Sequence, residues 1–450
     1  MFKNILRKIL PKSQFARGVS VLIGGTAGAQ LLAVLATPLL TRLYGPEDFG
    51  VLAVFTAMLA FFTVISAGRY ELAIPLPESD QDAAHVTVLG FALVLCTTLI
   101  AAVVFLVWPQ QIAKAINAPQ LAGYLWLIPF GVFFLGSYQV FSSWAVRKKQ
   151  FSELAKTRVY QSISTLAIQL GGHALGPLAL LFGHAAGQGV GAGGLAHAAL
   201  KRPELQQVSL SGVREQARRY KNFPIFSSWT ALFNTASLQF APIMFVAMFG
   251  ATLTGFYALT LRILTLPSSL IGSAVGSVFL SAAPQAKRDG TLAALVTQLH
   301  ARLAMAGAVP LAVLIFFGPD LFALVFAEDW RQAGVYAQWM APWIYLQFQW
   351  SPLSMLGSVL ELQRQALVAQ MLVFVFRFGS IVIAWLLGLS ADSSVFVFAM
   401  VSALTYLTIM LLFMRRAGVN LSSVLITDIK YIGLSFSVIF PIWLLLRGLL

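Results

Sequence analysis

TRLYGPEDFGVLAVF, residues 41–55, sets two glycines, a proline and two acids between long apolar runs. The stretch returns in outline at 248–259 as MFGATLTGFYAL. Gly45 and Gly50 are five apart, as are Gly250 and Gly255, and the pairs are offset by 205 residues. An aromatic, Tyr44 or Phe249, precedes each first glycine, and Pro38 or Pro242 falls late in the run before it. Glycine permits a tight reversal at the end of a helix, and Glu47 and Asp48 are expected to keep that reversal in water. A turn repeated at this distance predicts a chain of two similar halves.

The runs on either side say what the halves are made of. The chain has 450 residues, 58% hydrophobic and 10% charged, against about one quarter charged in a soluble domain. Water cannot solvate so apolar a surface, so the solvent is a bilayer. Apolar runs near 18–40, 49–68, 83–107, 121–146, 159–172, 177–199, 223–249, 254–280, 300–318, 335–358, 367–389 and 393–414 make twelve candidate spans. Each approaches the roughly 20 residues that a helix needs to cross. A shorter thirteenth, 431–448, follows the polar gap RRAGVNLSSVLITDIK. A transmembrane β-barrel would alternate in segments of about ten residues instead. The expected fold is an all-α integral membrane protein.

Orientation follows from lysine and arginine. With the N-terminus inside, the cytoplasmic segments hold 24 of the 30 basic residues and the outer ones only Arg42, Lys114, Arg331 and Arg447. That asymmetry obeys the positive-inside rule, and it accounts for most of the net charge of +14 without nucleic acid. The basic start MFKNILRKILPK and Ala27-Gly28-Ala29 resemble a signal peptide with its cleavage site, but the apolar run continues to Leu40, which suits a retained helix. Cys96, the one cysteine, forbids an internal disulfide and reads as a small buried hydrophobe. The halves are then a six-helix lobe over 1–200, a basic cytoplasmic linker over 201–222, a second six-helix lobe over 223–414, and an extra hydrophobic segment over 415–450. Six is even, so both lobes enter from the same side as parallel repeats. That arrangement suggests a central cavity and alternating access about a midplane site.

PLLTRLYGPEDFGVLAVF with RYELAIPLP, and later FGATLTGFYALTLRI with FFGPDLFALVFAEDWRQAG, resemble the polysaccharide-transporter family. These are the O-antigen and exopolysaccharide flippases of the multidrug/oligosaccharidyl-lipid/polysaccharide exporter superfamily. The resemblance covers roughly residues 13–414. It implies a bacterial inner-membrane protein of two six-helix bundles that moves an undecaprenyl-diphosphate-linked oligosaccharide to the outer leaflet. A polysaccharide polymerase and chain-length proteins are its implied partners. The thirteenth segment departs from a twelve-helix pattern and leaves the side of the C-terminus open.

The residues carry a matching electrostatic argument. A charge at the bilayer centre costs about 2.5–3.5 kcal/mol on insertion scales, so Arg377, in LVFVFRFGSIVIAW, is expected to face a wet cavity or a partner. Arg262 lies inside its own span, where lining a cavity and snorkelling are equally open. Arg42 and Arg69 lie at span ends, where snorkelling is the default, and Arg69 is placed to pair with Glu71. All 16 acids are expected at span ends or in loops. A cavity with guanidinium groups and no carboxylates favours an anion, and guanidinium binds diphosphate through charge-assisted hydrogen bonds. Arg377 and Arg262, with Arg42 and Arg69 as lesser candidates, are the expected diphosphate ligands. In YAQWMAPWIYLQFQW, 336–350, Trp339, Trp343, Gln347 and Trp350 are candidate sugar contacts, helix packing being the alternative, and Pro342 and Pro352 are expected to bend that helix. Gly183, Gly187 and Gly191 read as a close-packing face. His184, with His173 and His197 near, is a weak candidate for carrying a proton, and the spacing of the three suits no metal.

GxxxxGK[ST], HExxH and GxSxG are all absent, so no cofactor, metal or ATP use is expected. A cation or drug exporter of the same superfamily would want buried acids. A membrane polymerase or ligase would want a large outer loop, and the longest outer connection is about 319–334. A monomer is expected, since each lobe has its counterpart in the chain.

Overall fold

The computed structural model describes residues 14–449 and is helical almost throughout, with no strand among them. The longer helices are α1 Gln14–Leu35, α2 Thr37–Leu43, α3 Pro46–Ile65, α4 Asp80–Val107, α5 Pro109–Ala115, α6 Leu127–Arg147, α7 Phe151–Gly171, α8 Pro177–Leu200, α9 Leu210–Arg219, α10 Ser228–Phe249, α11 Ala251–Leu264, α12 Leu266–Arg288, α13 Leu292–Phe326, α14 Arg331–Leu353, α15 Gln363–Leu386, α16 Ala391–Arg416 and α17 Leu421–Leu449. A helix meets every apolar run. The basic stretch MFKNILRKILPK lies outside the described residues, and Ala27-Gly28-Ala29 sits within α1.

The run at 18–40 breaks at Ala36, where Pro38 enters the first turn of α2 with no N–H to give. The run at 254–280 breaks at Thr265, with Pro267 in the first turn of α12. α14 runs through Pro342 and ends one residue beyond Pro352. Eight of the described helices are long and apolar enough to cross a membrane. Their outer faces carry the expected signature. Leu367, Val368, Met371, Leu372, Val375 and Phe376 leave one side of α15 apolar and exposed, a surface that only lipid solvates. Cys96 corrects its sequence reading. It is exposed on the outer face of α4 beside Leu95 and Leu99, because apolar residues in this chain face lipid as readily as the core.

The chain forms two compact units, Met1–Thr254 and Gly255–Leu450. In the first, Val54, Phe55 and Leu59 of α3 pack with Leu127, Ile128 and Val132 of α6 and Leu181 of α8. α10 also packs on α3 in this unit. The opening turn explains that contact. A Cβ at Gly50 would overlap the backbone carbonyl of Ala251, so the two glycine motifs that the sequence pairs at a distance touch here. Gly250 has φ +89°, which side chains rarely adopt. Asp48 does more than keep the turn wet: its Oδ2 accepts from the Gly45 N–H at 3.0 Å, closing the first turn of α3. Tyr44 donates to the Gln169 carbonyl at 2.5 Å and ties the turn to α7.

The glycines of α8 do pack. Gly183 and Gly187 lie against Thr165 and Gln169 of α7, and Gly191 lies against Gln161. The basic linker docks rather than dangles: Gln216 donates to Asp82 at 3.1 Å, Tyr70 donates to the Ala217 carbonyl at 3.0 Å, and the Ser209 N–H donates to His85 Nε2 at 3.2 Å. Lys148 bridges Asp80 at 2.6 Å and Glu204 at 2.7 Å. In the second unit, Val296 of α13, Leu353 of α14, Met410 and Met414 of α16 and Val424 of α17 share one core.

Candidate functional site

In the second unit, α16 packs against both α14 and α15. Phe398, Ser402 and Tyr406 are four apart, so they line one face of α16. Trp343, Gln347 and Trp350 do the same on α14. Arg377 projects from about 21 Å along α15 into the space between them. Its Nε donates to Ser402 Oγ at 3.0 Å. The guanidinium lies over Trp343, Phe398 and Tyr406, with 4.5, 5.0 and 6.0 Å to the ring centroids. Ser402 can accept because its own hydroxyl proton goes to the Phe398 carbonyl, at 2.7 Å. Arg377 is 8% exposed, and among the described residues no carboxylate lies within ion-pair distance of it. A buried cation is thus met by ring quadrupoles and one hydroxyl rather than by an anion.

Beside this cage is a hollow of about 300 Å³ lined by Gln347, Trp350, Ser351, Gln370, Tyr406 and Phe413. Tyr406 belongs to both: one wall of the cage is also a wall of the hollow. Gln347 Oε1 and Trp343 Nε1 are buried without a hydrogen-bond partner, which leaves an acceptor and a donor in the region unused. Trp350 packs directly on Phe413, another lining residue, with ring centroids 5.3 Å apart. The structure therefore brings Arg377, Trp343, Gln347 and Trp350 together. Trp339 stands apart, stacked on Tyr336 at 5.6 Å and edge-on to Phe396 at 5.8 Å. Arg262 is half-buried on α11 and does not line the hollow.

The other two arginines lie in the first unit. Arg42 is exposed and donates to the Pro38 carbonyl at 3.1 Å, within its own helix. Arg69 has φ +62°, pairs with Glu71 at 3.2 Å, and lines a second hollow of about 420 Å³ with Phe226, Thr230 and Asn234. Glu71 is 5% exposed. Burial pushes its carboxyl above the ordinary value, and the neighbouring Arg69 only partly offsets this.

One expectation is overturned. Asp428 is neither at a span end nor in a loop. The polar gap before the thirteenth run is helical from Leu421, so Asp428 sits about 10 Å inside α17 and is 7% exposed. It accepts from Tyr345 Oη at 2.8 Å and Gln349 Nε2 at 3.0 Å, and His300 Nε2 lies 3.4 Å from its other oxygen. Of the histidines named from sequence, His184 is half-buried and interacts within the fold, while His197 is exposed and His173 contacts the Leu170 carbonyl at 3.2 Å. No metal-holding cluster occurs among the described residues.

A family model described as polysaccharide biosynthesis protein matches residues 39–334. No curated protein matches the chain. Among solved structures, the lipid II flippase MurJ in an inward closed conformation superposes with TM-score 0.73 at 11% identity, covering 94% of this chain and 92% of that one. An inward-facing multidrug resistance MATE family transporter of the MOP superfamily gives TM-score 0.65 at 14% identity, covering 86% and 94%. A MOP superfamily transporter from Pyrococcus furiosus, described as having a binding pocket of reverse polarity, gives 0.54 at 15%, covering 90% and 96%. The chain has the multi-pass fold of these transporters.

Proposed function

The chain belongs to the polysaccharide biosynthesis protein family, and from that membership we propose that it is a flippase for undecaprenyl-diphosphate-linked oligosaccharide, serving O-antigen or exopolysaccharide synthesis. It works in the bacterial inner membrane with its N-terminus in the cytoplasm, as two parallel lobes in alternating access. The observation that carries the reading is Arg377, a buried guanidinium with no carboxylate partner among the described residues, caged beside a hollow lined by amides, hydroxyl groups and aromatic rings. Positive potential there favours a diphosphate, because a desolvated charge attracts strongly in a low dielectric. Tyr406 stands between the guanidinium and the hollow. When it moves from the guanidinium, Arg377 gains access to the hollow and exchanges ring contacts for charge-assisted bonds to phosphate. Gln347 and Trp350 then meet sugar, the amide by hydrogen bonding and the indole by stacking. Arg69, at the first unit's hollow, is the second candidate anion contact, and Arg262 and Arg42 keep subordinate roles.

The test is direct. The purified full chain is placed in liposomes with a fluorescent undecaprenyl-diphosphate-linked oligosaccharide, and lectin access on the far side is followed in time. Translocation that depends on the protein and on the diphosphate supports the reading. Equal transport of a lipophilic organic cation, with none of the glycolipid, overturns it.

A further inference from the structure

The Asp428 cluster lies outside the arginine site and was invisible to the sequence reading. Three helices build it: α13 brings His300, α14 brings Tyr345 and Gln349, and α17 brings Asp428. His300 is 1% exposed and Asp428 7%. Tyr345 Oη and Gln349 Nε2 both donate to Asp428 Oδ1, so that oxygen is ringed by donors. Oδ2 faces His300 Nε2 at 3.4 Å, and that nitrogen has no hydrogen-bond partner. Gln349 Oε1 is likewise buried and unpartnered. No lysine or arginine among the described residues comes within ion-pair distance of Asp428. Lys430, two residues on, lies 5.9 Å from the Tyr431 ring centroid.

With the imidazole neutral, this site holds one uncompensated negative charge away from water, a costly state. One proton on the imidazole makes the pair net neutral and places N–H between Nε2 and Oδ2. A metal cation fits poorly, because the nearest oxygen already accepts two N–H or O–H donors and the facing atom is a nitrogen, whereas sodium and similar hard ions take oxygen ligands. We propose that His300 and Asp428 form a proton-binding site that ties α17 to α13 and α14, and that its loading and unloading couples a proton to the transport cycle. The site lies about 12 Å along α13 and about 10 Å along α17. The helices that lead into those starts end in basic residues, α12 in Lys287 and Arg288 and α16 in Arg415 and Arg416, so in the proposed orientation the proton exchanges with the cytoplasmic side. On loading, a proton from water bonds to the imidazole lone pair; on release it returns to water, and no other bond changes.

The coupling half of this inference rests on the flippase reading, so two measurements separate them. The first needs no substrate. In the full chain labelled with nitrogen-15 histidine and held in nanodiscs, the His300 signal, assigned with His300→Gln, is titrated by NMR. Asp428→Asn is expected to weaken proton binding at His300 at least tenfold, since it removes the facing charge. An unshifted His300 titration overturns the site. The second uses liposomes carrying labelled undecaprenyl-diphosphate-linked oligosaccharide. A gradient of one pH unit, a tenfold ratio in proton activity and about 1.4 kcal/mol, is expected to bias the glycan about tenfold in the native chain and not in Asp428→Asn. A bias that survives Asp428→Asn, or one produced by sodium in place of protons, overturns the coupling. If no glycan moves in any variant under any gradient, the flippase reading fails, and the titration alone still decides the proton site.

Discussion

Replacing Arg377 tests the central claim because the cage separates stability from transport. Consider Arg377→Met. The guanidinium lies over three rings, each contact contributing about 0.5–2 kcal/mol, and donates one hydrogen bond to Ser402 that contributes about 1.5–3 kcal/mol. Against these stands the cost of keeping a cation near the middle of a span, about 2.5–3.5 kcal/mol on insertion scales. Methionine removes the cost, fills the cage and keeps sulfur–ring contacts, so the folded protein should melt within a few degrees of the native one. Transport should not survive as well. If Arg377 supplies even one charge-assisted bond to phosphate in the rate-limiting state, losing about 1.5–3 kcal/mol slows translocation roughly 10- to 150-fold. Arg377→Lys keeps the charge but loses the planar stack and the fixed Nε–H, so an intermediate loss, about tenfold, is expected. The assay is initial translocation rate in liposomes beside the melting temperature of the same preparation. A methionine variant that transports within about threefold of native refutes the role. So does a variant whose activity and melting temperature fall together and whose activity returns when the temperature is lowered, because the cage is then only structural.

The turn and its neighbour give two further expectations. Gly50→Ala forces a Cβ onto the Ala251 backbone, which unlike a side chain has no free rotor to turn aside. Overpacking of this kind costs about 1–3 kcal/mol, so a lower melting temperature should accompany normal expression, while Gly45→Ala, with open space around it, should be near neutral. Glu71 sets a pH dependence. Its carboxyl is raised above the ordinary 4.5 by burial, partly offset by Arg69, so its protonated form favours the fold. That contribution is complete below pH 4.5 and lost as pH rises through the raised value. Relative to Glu71→Gln, the native chain should therefore lose thermal stability on alkalinisation over that window; a constant difference between the two across pH would exclude the effect.

Much of this was readable from residue order, for physical reasons that also mark where reading stops. A mid-span arginine announces itself because its burial is expensive, and the i, i+4, i+7 placing of Trp343, Gln347 and Trp350 puts them on one face. Ser402 and Tyr406 gave no such signal, since a hydroxyl in an apolar helix normally satisfies itself on its own backbone, as Ser402 also does. Asp428 was misplaced because Asn420, Ser422, Ser423 and Thr427 depress hydropathy at the start of α17. Asn420 stands just before the helix, its Oδ1 accepting from the Ser422 N–H at 3.0 Å, and Ser422, Ser423 and Thr427 lie within it, so the stretch from Leu421 is helix and not a loop. The matched spacing of the glycine pairs is visible in the sequence, but the contact between Gly50 and Ala251 is not. Periodicity tells which face of a helix is apolar and not which neighbour covers it.

The sign of the cargo turns on how the buried acids are employed. A cation exporter needs a carboxylate that is free to face its substrate. Glu71 and Asp428 are the deeply buried acids of the described residues, and each is already engaged, the first by Arg69 and the second by two donors and an imidazole. Neither lines the hollow beside Arg377, whose wall carries amides, hydroxyls and rings. Behind Tyr406, one residue of that wall, lies the Arg377 guanidinium, 6.0 Å from the ring centroid, and an organic cation entering there would be repelled with no acid on the wall to offset it. On the proposed reading an anionic headgroup would meet the opposite: a positive charge nearby, an unused acceptor on Gln347 for a sugar hydroxyl, and an indole face on Trp350. A carboxylate placed on the wall of this hollow tests the argument, and Gln347→Glu is the shortest route to one. That single change should pair with Arg377 across the cage wall, abolish glycolipid movement and leave the fold intact; a Gln347→Glu variant that still moves the glycolipid at the native rate would show that the potential in the hollow does not select the cargo.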